Sequence, residues 1–476
     1  MALVIYNTLS RSKEEFVPIK GRSVKMFVCG QTVYDDAHLG HAKNYINFDI
    51  IARWLKHSGY NLKYIQNITD IDDKIIKRAE EVGKEPIALA REYEARFMED
   101  MEAIGVRRNV TEYPRSHDYI EDITLQIQLL ADKGFAYALD ADIYYDVSIF
   151  PDYTKLSGMK IDELEKHRIE PKEGKRNSYD FALWKGSKPG DPAWEIEIAF
   201  NGKKKKFNGR PGWHIEDTAI TYAIFGKQYD IHGGAIELIF PHHTNEIAQA
   251  QAAFGVKPYV RYWMHTGIML IKGEKMSKSL KNFIRIRDLL KAYDPEALRL
   301  LVASTHYRKD MAYTEELMKK AAARLGYMRA SLSIFYNMRV HDAGRESVVT
   351  NKIDGMKSEF EDAMNDDLNT PLALTSLASA IDSLRSYAES NSSIDKETKE
   401  YALNSVIENA NVLGILENPA YKEKIPDDAK KLIKEREKLR ADKKFDAADS
   451  IRNRIRDEYS ITLEDSEYGT IWYIQK

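Results

Sequence analysis

VKMFVCGQTVYDDAHLGHAKNYINFDIIARWLKHSGYNLKYIQNI, residues 24–68, decides the fold. Its first six residues (VKMFVC) are apolar but for Lys25 and read as a buried strand, followed by a loop rich in turn formers. Ile46, Ile50 and Trp54 then recur at i, i+4 and i+8, with Ile51 and Leu55 widening the stripe, which predicts a helix with one buried face. Residues 62–68 (LKYIQNI) read as the next strand. Strand, helix and strand in so short a span make a βαβ unit, the seed of a parallel nucleotide-binding sheet.

Working outward, the pattern turns irregular from about 115 to 208, with a hairpin-like DADIYYDVSIF at 140–150 and a Lys/Pro/Gly-rich stretch at 171–190. This reads as an insertion that splits the nucleotide fold, with the sheet resuming near Gly209. Beyond 285 the pattern is almost wholly helical, with loops at 340–353 and 388–396 and a linker at 417–428. Two charged helices and two short strands, 460–464 and 470–474, close the chain. The expected architecture is therefore an α/β Rossmann-type nucleotide-binding catalytic domain with an insertion, then an α-helical bundle, then a small mixed α/β C-terminal domain.

Composition sets the limits. At roughly 150 residues per domain, a chain of 476 residues suggests about three domains. An apolar fraction of 43% and a charged fraction of 30% describe a globular protein, and the formal net charge of -3 supplies no global positive field for nucleic acid. No apolar run approaches the roughly 18 residues of a membrane helix, so no membrane partner is expected. The first sixteen residues are broken by Arg11, Lys13, Glu14 and Glu15 and lack a secretory core. With Cys29 the single cysteine, an internal disulfide is impossible, and a cytoplasmic address is expected.

Two motifs carry the chemistry. His38-Leu39-Gly40-His41 sits where the loop of the βαβ unit becomes helix. A helix N-terminus presents unpaired N–H groups and partial positive charge, the glycine permits close approach, and two imidazoles can donate to a phosphate as its charge grows. The bland alternative is a pair of surface histidines on a turn. Lys275-Met276-Ser277-Lys278-Ser279 follows Gly273, and two lysines there suit a triphosphate and a departing pyrophosphate. A solvated basic loop is the usual fate of such a pair.

Together the motifs resemble the HIGH and KMSKS signatures of class I aminoacyl-tRNA synthetases. Within that class, FVCGQTVYDDAHLGHAKNY, NITDIDDKIIKRA at 67–79, GRPGWHIED at 209–217, DIHGGAIELIFPHHTNEIAQ at 230–249, KMSKSLKNF at 275–283, MNDDLNTP at 364–371 and LEDSEYGTIW near the C-terminus resemble the cysteinyl-tRNA synthetase family over essentially the whole chain. The resemblance implies ATP-dependent activation of L-cysteine and its transfer to tRNA(Cys), with Mg2+ accompanying ATP and one Zn2+ per chain. It implies catalytic roles for His38, His41, Lys275 and Lys278, and ATP contacts from His38, Gly40, His41 and Lys278. Gly30, Thr69, Trp213 and His232 are implied as substrate contacts, although a tryptophan after Pro-Gly is by default core. It divides the chain into a split catalytic domain (1–114 and 209–265), a connective insertion (115–208), a KMSKS and stem-contact region (266–315), a helical bundle (316–424) and an anticodon-binding domain (425–476). A monomer is expected.

The chemistry agrees with a metal. Choosing cysteine over serine by pocket shape alone yields about 1–3 kcal/mol, whereas zinc binds a thiolate directly and prefers it to a hydroxyl. By resemblance the ligands are Cys29, His242 and Glu246, the last two at i, i+4, with a fourth position where the family has cysteine and this chain has Asp217. Aspartate ligates through oxygen, at about 2.0–2.2 Å against about 2.3 Å for sulfur, so the ligand charge survives and a soft donor is lost. A retained but weakened zinc site is expected. Alone, Cys29 reads equally as a small buried hydrophobe and His242 as a structural histidine.

RNA contacts are fainter. The lysine run 203–206 reads as a solvated hairpin tip, and the Lys/Arg-rich helices over 429–457 are diluted by acids, so an exposed amphipathic pair fits their charge as well. By resemblance these helices and the strands around Trp472 read the anticodon, where an aromatic stacks on an unpaired base. Two other functions share the motifs: a ligase joining cysteinyl-adenylate to an amino-sugar, and a non-catalytic tRNA-binding relative. The segment 429–476 speaks against the first, and intact His38, His41, Lys275 and Lys278 against the second.

Overall fold

The computed structural model describes residues 2–160, 164, 172–271, 273–275, 283–342, 344, 346–417, 426–466 and 469–474. Lys278 therefore lies outside the described residues, as does most of the expected linker at 417–428, and of Lys275 only the backbone is described. By internal contacts the chain divides into two units.

One unit comprises Val4–Lys291 with Tyr307–Ala312. Its centre is a four-stranded parallel sheet whose spatial order is Val260–Thr266, Tyr229–Ala235, Ser23–Thr32, Asn61–Thr69. Val24, Met26, Phe27 and Val28 are fully buried in the first strand, because helices cover both faces of such a sheet. The helix Leu39–His57 crosses from that strand to its neighbour and buries Ile46, Ile50, Ile51, Trp54 and Leu55, the expected stripe. The chain leaves the first strand toward one neighbour and returns much later, as Tyr229–Ala235, on the other side. This reversal opens a crevice at the carboxyl ends of the two strands, where ligands of open α/β sheets bind.

The insertion is a five-stranded antiparallel sheet, ordered Ala136–Leu139, Asp142–Tyr145, Phe181–Gly186, Lys203–Pro211, Trp194–Phe200. It corrects one expectation: the parallel sheet resumes at Tyr229, not near Gly209. Gly209 lies in the Lys203–Pro211 strand, opposite Gly186 on one side and Trp194 on the other. A Cβ there would come within 2.1 Å of the Lys185 carbonyl, so the glycine marks close strand approach and not a domain boundary. The lysine run opens the same strand directly after the turn at 201–202 and is exposed, as expected of a solvated hairpin tip, with Lys204 and Lys206 paired across to Glu197 and Glu195 at 2.7 Å each.

The other unit holds Met1–Leu3, Ala292–His306 and Tyr313–Lys476. Helices Glu315–Tyr336, Ser347–Asn365, Thr370–Ser390 and Lys396–Leu413 pack around Leu325, Met356, Phe360, Leu377, Ile381 and Val406. The loops expected at 340–353 and 388–396 are shorter, because Arg339–His341 and Ser393–Asp395 pair as parallel strands and the next helix begins at Ser347. Helices Asp427–Ala441 and Phe445–Tyr459 then pack on the hairpin Ile461–Ser466/Gly469–Ile474 through Ala429, Ile433, Ile455, Ile461 and Leu463. Arg436, one of the cations of the charged helices, is wholly buried and holds Asp465 with two nitrogens at 2.7 and 2.8 Å. Trp472 is half-buried against the same core.

Candidate active site

A cavity of about 670 Å³ occupies the crevice at the carboxyl ends of the parallel strands. One wall is a cluster of metal-ligating side chains. Cys29, near the end of the first strand, places Sγ 3.6 Å from Asp217 Oδ2, in the first turn of the helix Ile215–Phe225. His242 Nε2 is 3.0 Å from that same oxygen and 3.0 Å from Glu246 Oε1, in the first turn of the helix Thr244–Phe254. All four residues are buried, and their donor atoms lie within 4.8 Å of one another. Both carboxylates stand at helix N-termini, where the helix dipole favours negative charge.

The donor set fits a divalent cation. Two carboxylates and a thiol converge, and neither oxygen of Glu246 takes an aligned hydrogen bond among the described residues, a costly arrangement for a buried carboxylate. Burial, then the charges of Asp217 and Glu246, push the Cys29 thiol well up from its ordinary value. Burial pushes Glu246 up to about 7. Burial works against a charged His242, yet Glu246 and Asp217 hold its imidazole well above the ordinary range.

Behind this wall lies a second set, Cys29, His232, His243 and Glu246, with donor atoms equally close. His243 Nε2 is 3.1 Å and His232 Nε2 3.3 Å from Cys29 Sγ. His243 Nδ1 continues to His265 Nε2 at 2.8 Å, and His265 Nδ1 to Thr8 Oγ1 at 2.8 Å. Burial pushes His232, His243 and His265 down, so these rings are neutral. Cys29, Asp217 and His242 line the cavity with Gly30, Thr69 and Trp213, whereas His232 is fully buried and not on its wall. Trp213 is 38% exposed and stacks on His242 at 4.8 Å, so it caps the cluster and is not core.

Asn67 is a residue that sequence reasoning passed over. Its amide accepts from Gly30 N at 2.6 Å and donates to Asp217 Oδ1 at 2.5 Å and Thr69 Oγ1 at 3.3 Å. Gly30 is needed for that approach, since a Cβ would lie 1.6 Å from the Asn67 carbonyl. The available signal was a pair of adjacent amides, Gln66 and Asn67, among the apolar residues near the end of a buried strand.

The opposite wall is the HLGH turn. His38 is the N-cap of the helix Leu39–His57: its Nδ1 accepts from Gly40 N at 3.0 Å and His41 N at 3.4 Å, while His41 Nδ1 accepts from His38 N at 3.3 Å. The rings stack at 3.8 Å. Leu39 N donates to the Ile284 carbonyl at 3.0 Å. The first-turn N–H groups are thus already taken, contrary to the expectation that they meet a phosphate unpaired. Because both Nδ1 atoms accept, each ring proton is obliged onto Nε2, which makes both imidazoles donors there. Gly40 is required, since a Cβ would lie 2.8 Å from the His38 ring folded back over it. Gly40, His38 and His41 all line the cavity.

Comparison with known proteins fits this geometry. Residues 15–323 match the family model described as tRNA synthetases class I (C) catalytic domain, and residues 359–417 match the DALR domain. The chain is 42% identical to a cysteine–tRNA ligase of Thermococcus gammatolerans over 99% of each chain, and 44% identical to one of Thermococcus kodakarensis over the same shares. It is 42% identical to a cysteine–tRNA ligase of Trichlorobacter lovleyi over 100% of each. In fold it resembles a methionyl-tRNA synthetase of Mycobacterium tuberculosis (TM-score 0.59, 16% identity, 82% of this chain and 89% of that one). The chain belongs to the cysteine–tRNA ligase family of class I aminoacyl-tRNA synthetases.

Proposed function

We propose that this chain activates L-cysteine with Mg2+-bound ATP and transfers the cysteinyl group to the 3′-terminal ribose of tRNA(Cys). The observation that carries this reading is one cavity with a thiol-and-carboxylate cluster on one wall and a double-histidine turn on the other. A cysteine carboxylate oxygen attacks the α-phosphorus, the new P–O bond forms, and the bond to pyrophosphate breaks. His38 and His41 donate from Nε2 to the phosphate oxygens as charge accumulates, and Lys275 and Lys278 receive the pyrophosphate. A ribose hydroxyl then attacks the acyl carbon and AMP leaves. No protein nucleophile is needed, so catalysis is positioning and electrostatics.

Cys29, Asp217, His242 and Glu246 would hold the Zn2+. When bound, it supplies a soft Lewis acid for the substrate sulfur, which a serine hydroxyl satisfies poorly. Gly30, Thr69 and Trp213 border the amino acid, and Asn67 holds Asp217 in place. His232, behind the cluster, supports Cys29 instead of touching substrate.

For the remaining chain we assign the connective insertion to 115–211, carried past residue 208 by the strand Lys203–Pro211, 266–315 to the KMSKS and stem-contact region, 316–424 to the helical bundle and 425–476 to anticodon reading by a monomeric, cytoplasmic protein. The test is charging of tRNA transcripts with each amino acid. Cysteine attached to tRNA(Cys) alone is the expected result; comparable charging with serine, or none with cysteine, overturns the reading.

A further inference from the structure

Asp36 stands two residues before His38 on the cavity wall, and its side chain is 2% exposed. A buried carboxylate is out of place beside a polyanion unless it is neutralised. Three guanidiniums neutralise it. Arg96, from the helix Pro86–Ala103, sets Nε 2.8 Å from Oδ1 and Nη2 2.8 Å from Oδ2. Arg285 Nε lies 3.2 Å from Oδ2, and Arg287 Nε 3.5 Å from Oδ1. Arg287 also reaches the Arg96 carbonyl at 2.9 Å and Asp100 Oδ1 at 3.2 Å.

Two of these arginines follow directly on the segment that carries Lys278, and they lie beside the HLGH turn. Leu39 N donates to the Ile284 carbonyl and Ile286 N to the Ala37 carbonyl, each at 3.0 Å, so 284–286 runs as a bridge along 37–39. Phe283 meets the His38 ring edge-on at 5.0 Å and lines the cavity. Two backbone bonds are a slight tie between segments so far apart in sequence. The Asp36 carboxylate joins them to a third element.

We propose that Asp36 is a positioning residue for ATP: by gathering Arg96, Arg285 and Arg287 it fixes residues 283–287 against the HLGH turn and sets the shape of the phosphate wall. This rests on the assignment of ATP to this cavity. Were Asp36 merely a negative charge near the phosphates, removing it would tighten ATP. Were it only a fold support, its loss would damage ATP and cysteine binding alike.

The test is ATP–pyrophosphate exchange by wild type, Asp36→Asn and Arg285→Ala, with kcat and KM measured for ATP and cysteine separately and ATP affinity measured by equilibrium dialysis. Asp36→Asn should lower kcat/KM for ATP on the order of 10²-fold, the loss typical of misplaced phosphate contacts. Arg285→Ala, whose side chain is 47% exposed and so is expected to leave the protein folded, should lower it about tenfold. In both, KM for cysteine should stay within about twofold of wild type, and Asp36→Glu should recover part of the ATP loss. Unchanged or tightened ATP, or parallel loss of ATP and cysteine in Arg285→Ala, overturns the proposal. If the wild type shows no cysteine-dependent exchange while ATP affinity still falls in Arg285→Ala, the proposed function fails and this inference stands.

Discussion

The two walls of the cavity are built in opposite ways. The HLGH turn is mostly local: His38 and His41 cap their own helix and take the N–H groups of His38, Gly40 and His41, while Leu39 N goes to the Ile284 carbonyl, which leaves both imidazole Nε2 atoms as donors at the cavity. The metal-ligating wall is assembled from positions 29, 217, 242 and 246, on one strand and the starts of two helices, and among the described residues the buried Glu246 oxygens take no aligned hydrogen bond. One wall has its hydrogen bonds made within the protein; the other gathers ligand atoms that suit a cation. The turn can lose one donor and keep its fold, whereas the geometry of the convergent wall depends on hydrogen-bonding neighbours such as Asn67.

That contrast can be broken by substitution. The largest effect is expected at the HLGH turn: His41→Ala should slow cysteine activation by about 10²–10³-fold, with metal content unchanged. The helix cap loses one acceptor, about 1 kcal/mol, so circular dichroism should still report a folded protein. Near wild-type turnover would return the histidines to the role of surface residues on a turn. Next, Asp217→Ala should weaken metal retention in dialysis at least about 10–100-fold and raise KM for cysteine far more than KM for ATP. Asp217→Cys should tighten retention, because a second soft donor returns. Equal metal content in all three proteins would show that Asp217 is not a ligand.

Asn67→Ala sharpens the comparison, since Asn67 holds Asp217, Gly30 and Thr69 on the metal-ligating side of the cavity. It should weaken metal retention about tenfold while ATP affinity holds, and equal loss of both would mean that Asn67 supports the sheet as a whole. The smallest effect on activation belongs to Arg436→Ala in the C-terminal unit. Losing its pair with Asp465 should cost about 2 kcal/mol of that unit's stability, read by thermal unfolding, with pyrophosphate exchange unaltered. A fall in exchange would contradict the assignment of that unit to RNA alone.

How much of this was legible in the sequence follows the same division. The βαβ unit was readable because Ile46, Ile50 and Trp54 declare a helix by spacing, and the HLGH turn because its chemistry lies in adjacent letters. The return of the sheet was misplaced to Gly209 because a glycine that permits close strand packing and one that ends an element look alike in one dimension. The cluster was reachable only through family resemblance, since nothing in the spacing of 29, 217 and 242 says that they meet. His243, His265 and Asn67 were missed for the same reason. The burial of Arg436 was not legible because charge patterning carries no record of a partner twenty-nine residues on.

The most direct test of the central claim, that sulfur is selected at the Cys29–Asp217–His242–Glu246 wall, is the ratio of kcat/KM for cysteine over serine in pyrophosphate exchange, followed as metal is withdrawn by a chelator. The account predicts that the ratio collapses in step with metal content while KM for ATP stays constant. A metal-free protein that still prefers cysteine by the full ratio would contradict it.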